Sequence, residues 1–434
     1  MNKITSWTAI FASVQWLFFI FANTVVVPIS IGAAFDLSPA ETGAILRSSL
    51  IVTGIACMLQ GFVGHRYPLM EGHSGVMWGL VLNLSVASSS MGMSLSSIGG
   101  GIATGMILAG VFIVILGVFK LVSYIQKIFT PMVMSVYLFL LTFQLMIIFF
   151  TGMLKVTPDG KLDIPISLFS IGIVILVSAL KIKGKTMIGN FSILIGMVVG
   201  WIFYSILFQT ETPLSSQNAA TFVLFPLGTP NLNIGIIAIT FLASMINLSN
   251  TIASVQAASN LYNEPLSQKR LNRSYLLTGA YSIVGAPLGL VSYAPYASSI
   301  GFLESTRIFN RNPFLYGGGL MTILGIIPFM GALLATLPIT VGNAVLFVAY
   351  LQLFGTSLKS LNGYQFNSIT IHRLAGPILV GLCIMTLDLS LFTIFPVFLQ
   401  PIISNGFIMG VLISIILEAI VKWDQYSVTE KADS

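Results

Sequence analysis

The chain has 434 residues, 56% of them hydrophobic and only 7% charged, with a mean hydropathy of +0.96. Soluble domains carry about 25% charged residues, so this composition cannot build a water-exposed surface and excludes a soluble enzyme or binding module. The net charge of +6 comes from basic residues scattered singly or in short clusters between apolar runs. That is the pattern of membrane-flanking loops, not of a nucleic-acid surface.

Apolar runs near the length that crosses ~30 Å of hydrocarbon recur fourteen times. In chain order they cover 8–30, 43–63, 68–87, 100–122, 129–151, 165–181 and 187–208. The second seven cover 234–257, 272–291, 295–309, 315–334, 337–355, 370–388 and 396–421. The first run follows "MNKITSW", contains Pro28 and has no small-residue cleavage site after it, so it reads as a first helix and not a cleaved signal. Cys57 and Cys383 fall in apolar segments, and no CxxC, HExxH or P-loop pattern occurs. The pattern predicts no disulfide, metal or cofactor, and no nucleophile–base constellation of an enzyme stands out.

With the N-terminus inside, sixteen of the nineteen Lys and Arg residues fall on the cytoplasmic side, leaving Arg47, Lys155 and Lys161 outside. This asymmetry is the positive-inside bias, and dropping one early segment scrambles it. It predicts a multi-pass protein of the cell membrane with both termini cytoplasmic. Fourteen divides into seven plus seven, and an odd number per half gives the halves opposite orientation. Inverted repeats with a midplane site are a recurrent transporter design. Segments 3 and 10 occupy equivalent places, reading "YPLMEGHSGVMWG" and "YAPYASSIGFLES". Each opens on a Tyr/Pro pair, passes through a small polar stretch and ends in an apolar helix-like tail. Such paired, interrupted segments point to a binding site, because non-helical backbone at depth must be buried in protein or line a cavity.

These residues resemble the nucleobase–ascorbate transporters, also called uracil/xanthine permeases, over nearly the whole chain. "SVQWLFFIFANTVVVPISIG" is similar to the family's first helix, and "PLMEGHSGVMW" to its Pro-x-x-x-Gly-x-Ser third segment through Pro68, Gly72 and Ser74. "NLSNTIASVQAASN" lies at the eighth-segment motif, "SYAPYASSIGFLESTRIFNRN" at the tenth-segment signature, and "LPITVGNAVLF" at the twelfth. The resemblance implies an all-α polytopic membrane protein with fourteen transmembrane segments as a 7+7 inverted repeat and short strands in segments 3 and 10. It further implies a core domain at 1–125 and 231–335, a gate domain at 126–230 and 336–422, and a cytoplasmic tail at 423–434. The function implied is uptake of a nucleobase by alternating access of core against gate, coupled to a proton or Na⁺. Relatives of this kind can dimerise through the gate.

The substrate-binding residues carried over are Asn250, Ser254, Ser298, Ser299, Ser74, Gly75 and Ala297, with Gln15 in support. Several depart from the family pattern. Asn250 and Ser298 stand where relatives have glutamates, Trp16 replaces a histidine, and Gly75 replaces a phenylalanine. Asn250 and Ser298 offer donors and acceptors for a neutral heterocycle, and Gly75 enlarges the pocket, favouring a purine such as xanthine, uric acid or hypoxanthine over uracil. With both acidic residues gone, Glu71 and His73 become the proton-coupling candidates. An ionisable group at bilayer depth costs roughly 2.5–3.5 kcal/mol. If 67–75 is extended, Glu71 lies ~16 Å and His73 ~23 Å beyond Arg66, near mid-membrane, with 71, 73 and 75 on one face. In a helix Glu71 lies only ~8 Å beyond Arg66 and snorkels. Two other readings are an anion transporter of the same fold, binding at helix N-termini, and a non-transport membrane sensor. Expected partners are thus a nucleobase, the coupling ion and the lipid bilayer, with no nucleic acid.

Overall fold

The computed structural model describes residues 6–423 apart from 158, 185, 209–221, 335 and 362–363. Of the tail at 423–434, only Trp423 falls among the described residues.

Pro28 breaks the first segment. Its ring lacks an N–H and clashes with the carbonyl four residues back, at Thr24. The segment accordingly splits into α1 (Ser6–Thr24) and α2 (Val26–Ala34). Ser38 and Glu41 exchange side-chain and backbone bonds in a capping box, which with Pro39 starts α3 (Pro39–Phe62). Segment 3 opens as a strand, β1 (Glu71–His73), before Ser74 caps α4 (Gly75–Val86). The first half continues with α5 (Leu95–Val118), α6 (Val122–Ile128), α7 (Pro131–Met153), α8 (Ile164–Lys183) and α9 (Thr186–Leu207).

The second half begins with α10 (Ile234–Leu261) and α11 (Gln268–Gly285), followed by β2 (Tyr293–Pro295) and α12 (Ser298–Thr306). Segment 11 is split at Pro328 into α13 (Arg311–Ile326) and α14 (Pro328–Leu334). Then come α15 (Ile339–Lys359), α16 (Ser368–Thr386), α17 (Gln400–Ile403) and α18 (Gly406–Ile420). Side-chain caps from Ser94, Thr130, Asp163, Asn233, Ser267, Asn310, Asn367 and Asn405 fix most other starts. Each of the fourteen expected segments holds a helix. Among the described residues, eight spans are long and apolar enough to cross a membrane, and three further apolar helices are shorter.

The helix packing obeys an exchange of the two halves. α3 packs on α13 as α11 packs on α5, and α1 on α13 as α10 on α5. Likewise α8 meets α9 as α16 meets α18, and α15 meets α8 as α7 meets α16. α7 and α15, equivalents of each other, pack together. One group of helices gathers α1, α3, α5, α10, α11 and α13; the other gathers α7, α8, α9, α15, α16 and α18.

The two strands meet within the first group, packed on α1, α3, α10 and α11. β1 and β2 are antiparallel, with Glu71 opposite Pro295, Gly72 opposite Ala294 and His73 opposite Tyr293. Flanking bonds from Tyr296 N to Met70 O and from Ser74 N to Ser292 O (both 2.8 Å) set the alternation. They make 71/295 and 73/293 the pairs whose backbone groups point away from the partner strand. This is why a proline is tolerated at 295. Period-2 geometry puts Glu71, His73 and Tyr293 on one face and Gly72, Ala294 and Tyr296 on the other. The expectation that position 75 shares the face of 71 and 73 fails, because the strand ends at His73 and Gly75 already belongs to α4.

Candidate functional site

A cavity of about 1320 Å³ lies between the two helix groups. Its inner wall is Ala22, Asn23, Gly75, Asn250, Tyr296, Ala297 and Ser298; Leu138, Leu141, Phe191, Tyr350 and Leu353 face them from the other group. Its mouth carries Lys181, Gln256, Asn260, Glu304, Lys359 and Ser360. These lie near the C-terminal ends of α8, α10, α12 and α15, on the side whose loops hold most of the basic residues.

Sequence places Asn247, Asn250 and Ser254 at spacings of three and seven, on one face of α10. Their tasks differ. The Asn247 amide donates to the Tyr293 carbonyl at 3.0 Å, and the Ser254 hydroxyl to the Pro295 carbonyl at 2.8 Å. They satisfy the two outward-pointing carbonyls of β2. Asn250 lies between them and lines the cavity, as do Ala297, the exposed Ser298 at the start of α12, and Gly75.

Three expected contact residues therefore spend their hydroxyls on the scaffold. Ser254 is one. Ser299 accepts from the Met70 N–H at 2.9 Å, and Ser74 donates to Asn247 Oδ1 at 2.6 Å while capping α4. All three are buried, and none lines the cavity. Gln15 does not line it either. Gly75 does, but a methyl there would stand 3.2 Å from Leu145 Cδ1 of α7, so this glycine serves close approach of α4 to α7 as much as pocket volume.

Glu71 and His73 are fully buried on the strand face turned away from the cavity. They share that face, as period 2 requires, but are not paired with each other. His73 Nε2 lies 2.6 Å from Ser49 Oγ of α3, whereas the Glu71 carboxylate is 3.5 Å from Nε2 of His65. α3 already supplies a hydroxyl for His73. His65, beside Glu71, is not among the candidates drawn from sequence, although it stands just upstream of the same motif.

The structure adds others. Tyr296 donates to the His73 carbonyl at 2.8 Å, and its hydroxyl also meets that of Tyr350 on α15, joining the strand pair to the other helix group. Trp16 fills the first helix with aromatic contacts to Phe19, Phe302 and Phe314 and offers nothing to the cavity. Glu418 forms a two-pronged pair with Arg373 at 2.8 and 2.6 Å. Among the described residues Glu304 and Arg307 form no ion pair; Arg307 ends α12 in a left-handed conformation and Glu304 faces the mouth.

Residues 8–390 match a family profile described as "Permease family", that of the xanthine/uracil permeases. A Bacillus subtilis protein described as a candidate purine permease, YwdJ, is 26% identical over 95% of this chain and 96% of its own. The uric acid permease PucJ of the same organism is 24% identical over 93% and 90%, and the uric acid transporter UacT of Escherichia coli 21% over 94% and 85%. Among solved structures, the transmembrane domain of the cyanobacterial bicarbonate transporter BicA superposes with TM-score 0.61 at 14% identity, over 96% of this chain and 99% of that one. Murine Slc26a9 superposes with TM-score 0.66 at 12% identity, over 98% and 70%. At such identities these structures speak to the 7+7 transporter fold alone. By its family profile, which spans most of this multi-pass chain, the protein belongs to the nucleobase–ascorbate transporter, or xanthine/uracil permease, family.

Proposed function

We propose that this chain takes up a purine base across the cell membrane, with both termini in the cytoplasm. The group of α1–α5 with α10–α14 is the core, and α7–α9 with α15–α18 is the gate. The base binds in the cavity between them, and movement of core against gate exposes it to each side in turn. The single observation that carries this reading is the cavity wall itself. Asn250 and Ser298 present amide and hydroxyl groups beside the aromatic Tyr296 and Tyr350, with no carboxylate at depth. That lining suits a planar, neutral heterocycle with alternating N–H and C=O edges. Gly75 leaves room for the larger purine, and the named relatives PucJ and UacT carry uric acid. Xanthine, uric acid and hypoxanthine are thus favoured over uracil, and a proton is the coupling ion.

An inorganic anion is the weaker reading. The Ser74 side chain takes up the Met77 N–H at the α4 N-terminus, and the cavity wall holds no basic side chain at depth to balance a multivalent oxyanion, Lys181 and Lys359 standing at the mouth. The test is uptake of labelled xanthine, uric acid, hypoxanthine, guanine, adenine and uracil into proteoliposomes, with and without an inward proton gradient. Accumulation of a purine that unlabelled purine competes and sulfate does not is the expected result. Transport of sulfate or bicarbonate with no base transported overturns the proposal.

A further inference from the structure

Among the described residues two carboxylates sit beside a basic side chain away from the surface, and their difference is informative. Arg373 and Glu418 are joined by two hydrogen bonds at 2.8 and 2.6 Å. A guanidinium does not give up its proton, so that pair is a fixed tie between α16 and α18. Glu71 and His65 are built differently. Both are sealed from solvent, their nearest atoms are 3.5 Å apart, and neither carboxylate oxygen nor His65 Nε2 has a hydrogen-bond partner. Both groups exchange protons.

Among the described residues no second charge stands beside the pair at depth; the buried Arg47 of α3 lies ten residues before Cys57 and is held by the Gly325 and Ile326 carbonyls. α3 brings Cys57, whose Sγ accepts the Glu71 N–H at 3.3 Å; α11 brings Tyr281, β2 brings Tyr293, and β1 itself His73. α1 and α10, which also pack on the strand pair, carry no ionisable side chain. Toward the loops, His65 Nδ1 accepts from the Tyr67 N–H at 3.1 Å. Beyond it, Tyr67 and Arg270 both bind the Glu264 carboxylate, at 3.1 and 2.7 Å.

We propose that the Glu71–His65 pair is a binding site for one transferable proton, located in the core and separate from the base cavity. With that proton on the Glu71 carboxyl, and His65 neutral with its N–H on Nε2 because Nδ1 accepts from Tyr67, the pair is uncharged as a whole. Removing it strands a lone carboxylate, and adding a second strands a lone imidazolium; either buried charge costs several kcal/mol. The proton therefore stays while the site is sealed and leaves only in an arrangement that admits water. Access is from the loop side, where His65 is followed by the exposed Arg66 with φ of 65°. The strands link the two sites. Glu71 faces Pro295 across the pair, and Pro295 is followed directly by Tyr296, Ala297 and Ser298 in the cavity wall. Protonation at Glu71 and a base in the cavity thus act on the same short backbone.

This inference rests on the transport reading above, and two measurements separate their failures. In proteoliposomes, Glu71→Gln keeps base counterflow, which needs no gradient, but loses gradient-driven accumulation by at least about tenfold; His65→Leu, which removes the N–H that steadies the carboxylate once the proton has left, does the same. Accumulation by Glu71→Gln equal to that of the parent overturns the proton site. Independently of transport, Leu353→Cys in the cavity wall, with the exposed Cys383 changed to Ser, is labelled by a water-soluble maleimide between about pH 5 and 8. The labelling rate of this chain is divided by that of the same chain carrying Glu71→Gln as well. The ratio changes severalfold over that range, because only the chain that keeps the carboxylate shifts conformation as the proton leaves. A constant ratio overturns the proposal. If no base is exchanged by the parent protein, the transport reading falls and the labelling alone decides the site.

Discussion

The Ser74 hydroxyl donates to Asn247 Oδ1 at 2.6 Å, and the same amide donates to the Tyr293 carbonyl at 3.0 Å. This relay ties the start of α4 to β2 through the middle of α10, with all three residues buried. Ser74 also accepts from Met77 N to cap α4. Ser74→Ala removes a cap and leaves a buried amide oxygen short of its donor. The expected loss is about 1–3 kcal/mol, read as a lower melting temperature of the purified protein, with Ser74→Thr close to the parent.

Asn250 and Ser254 are one turn apart and predict opposite phenotypes. Asn250 lines the cavity, so Asn250→Ala raises the KM for the transported base by about tenfold, equivalent to ~1.4 kcal/mol, and leaves the melting temperature unchanged. Ser254 holds the Pro295 carbonyl. Ser254→Ala lowers stability by about 1 kcal/mol and changes KM by less than about twofold. A parallel series of melting curves and uptake kinetics distinguishes the two.

Restoring a carboxylate at position 250 tests the neutral-site argument. An ionised Glu accepts two N–H donors side by side, which an Asn side chain does not. Asn250→Glu is expected to tighten binding of bases with adjacent N–H groups. It also makes affinity fall as pH drops through the range where the new carboxyl is protonated. Equilibrium binding of xanthine and hypoxanthine across pH reads both effects.

Gly79 lies one turn beyond Gly75 on the side of α4 that meets α7. A methyl at Gly79 would stand 2.7 Å from Gln144 Nε2. Small residues at this spacing let helices approach and slide. Gly79→Val is expected to lower the maximal transport rate by at least about tenfold while changing the base Kd by less than about twofold, measured by uptake beside calorimetric binding.

The Arg373–Glu418 pair is mostly buried, and Arg373 also stacks 5.0 Å over Trp423. Glu418→Gln leaves the guanidinium poorly compensated. The expected cost is about 2–3 kcal/mol, below that of a fully buried pair because some solvent reaches it. The double replacement Arg373→Met with Glu418→Met recovers most of the loss in a thermal melt.

Much of this architecture was legible in the chain. Apolar run length gave the fourteen segments, and the Tyr/Pro pairs with their small polar stretches marked where segments 3 and 10 depart from helix. Asn250, Ser298, Ala297 and Gly75 were found at the cavity because they occupy motif positions in the right segments. Asn247 was findable too, since it lies one turn before Asn250 on the same face. Tyr350, Lys181 and Lys359 were not, because nothing local to α8 or α15 says that their ends border the same space as α10.

Sequence by itself determined the membrane class and where the apolar helices fall, because hydrophobicity and length act along the chain and need no partner. It also determined that Glu71 and His73 share a face, since strand alternation is local. Only the tertiary structure decided which way that face turns and what each side chain meets there. The antiparallel register against β2 directs it toward α3, where Ser49 meets His73, and the bend after α3 brings His65 up to Glu71. It also decided that Ser74, Ser254 and Ser299 hold backbone rather than line the cavity. A buried strand pair has outward-facing amides and carbonyls that water cannot reach, and these claim the nearest hydroxyls.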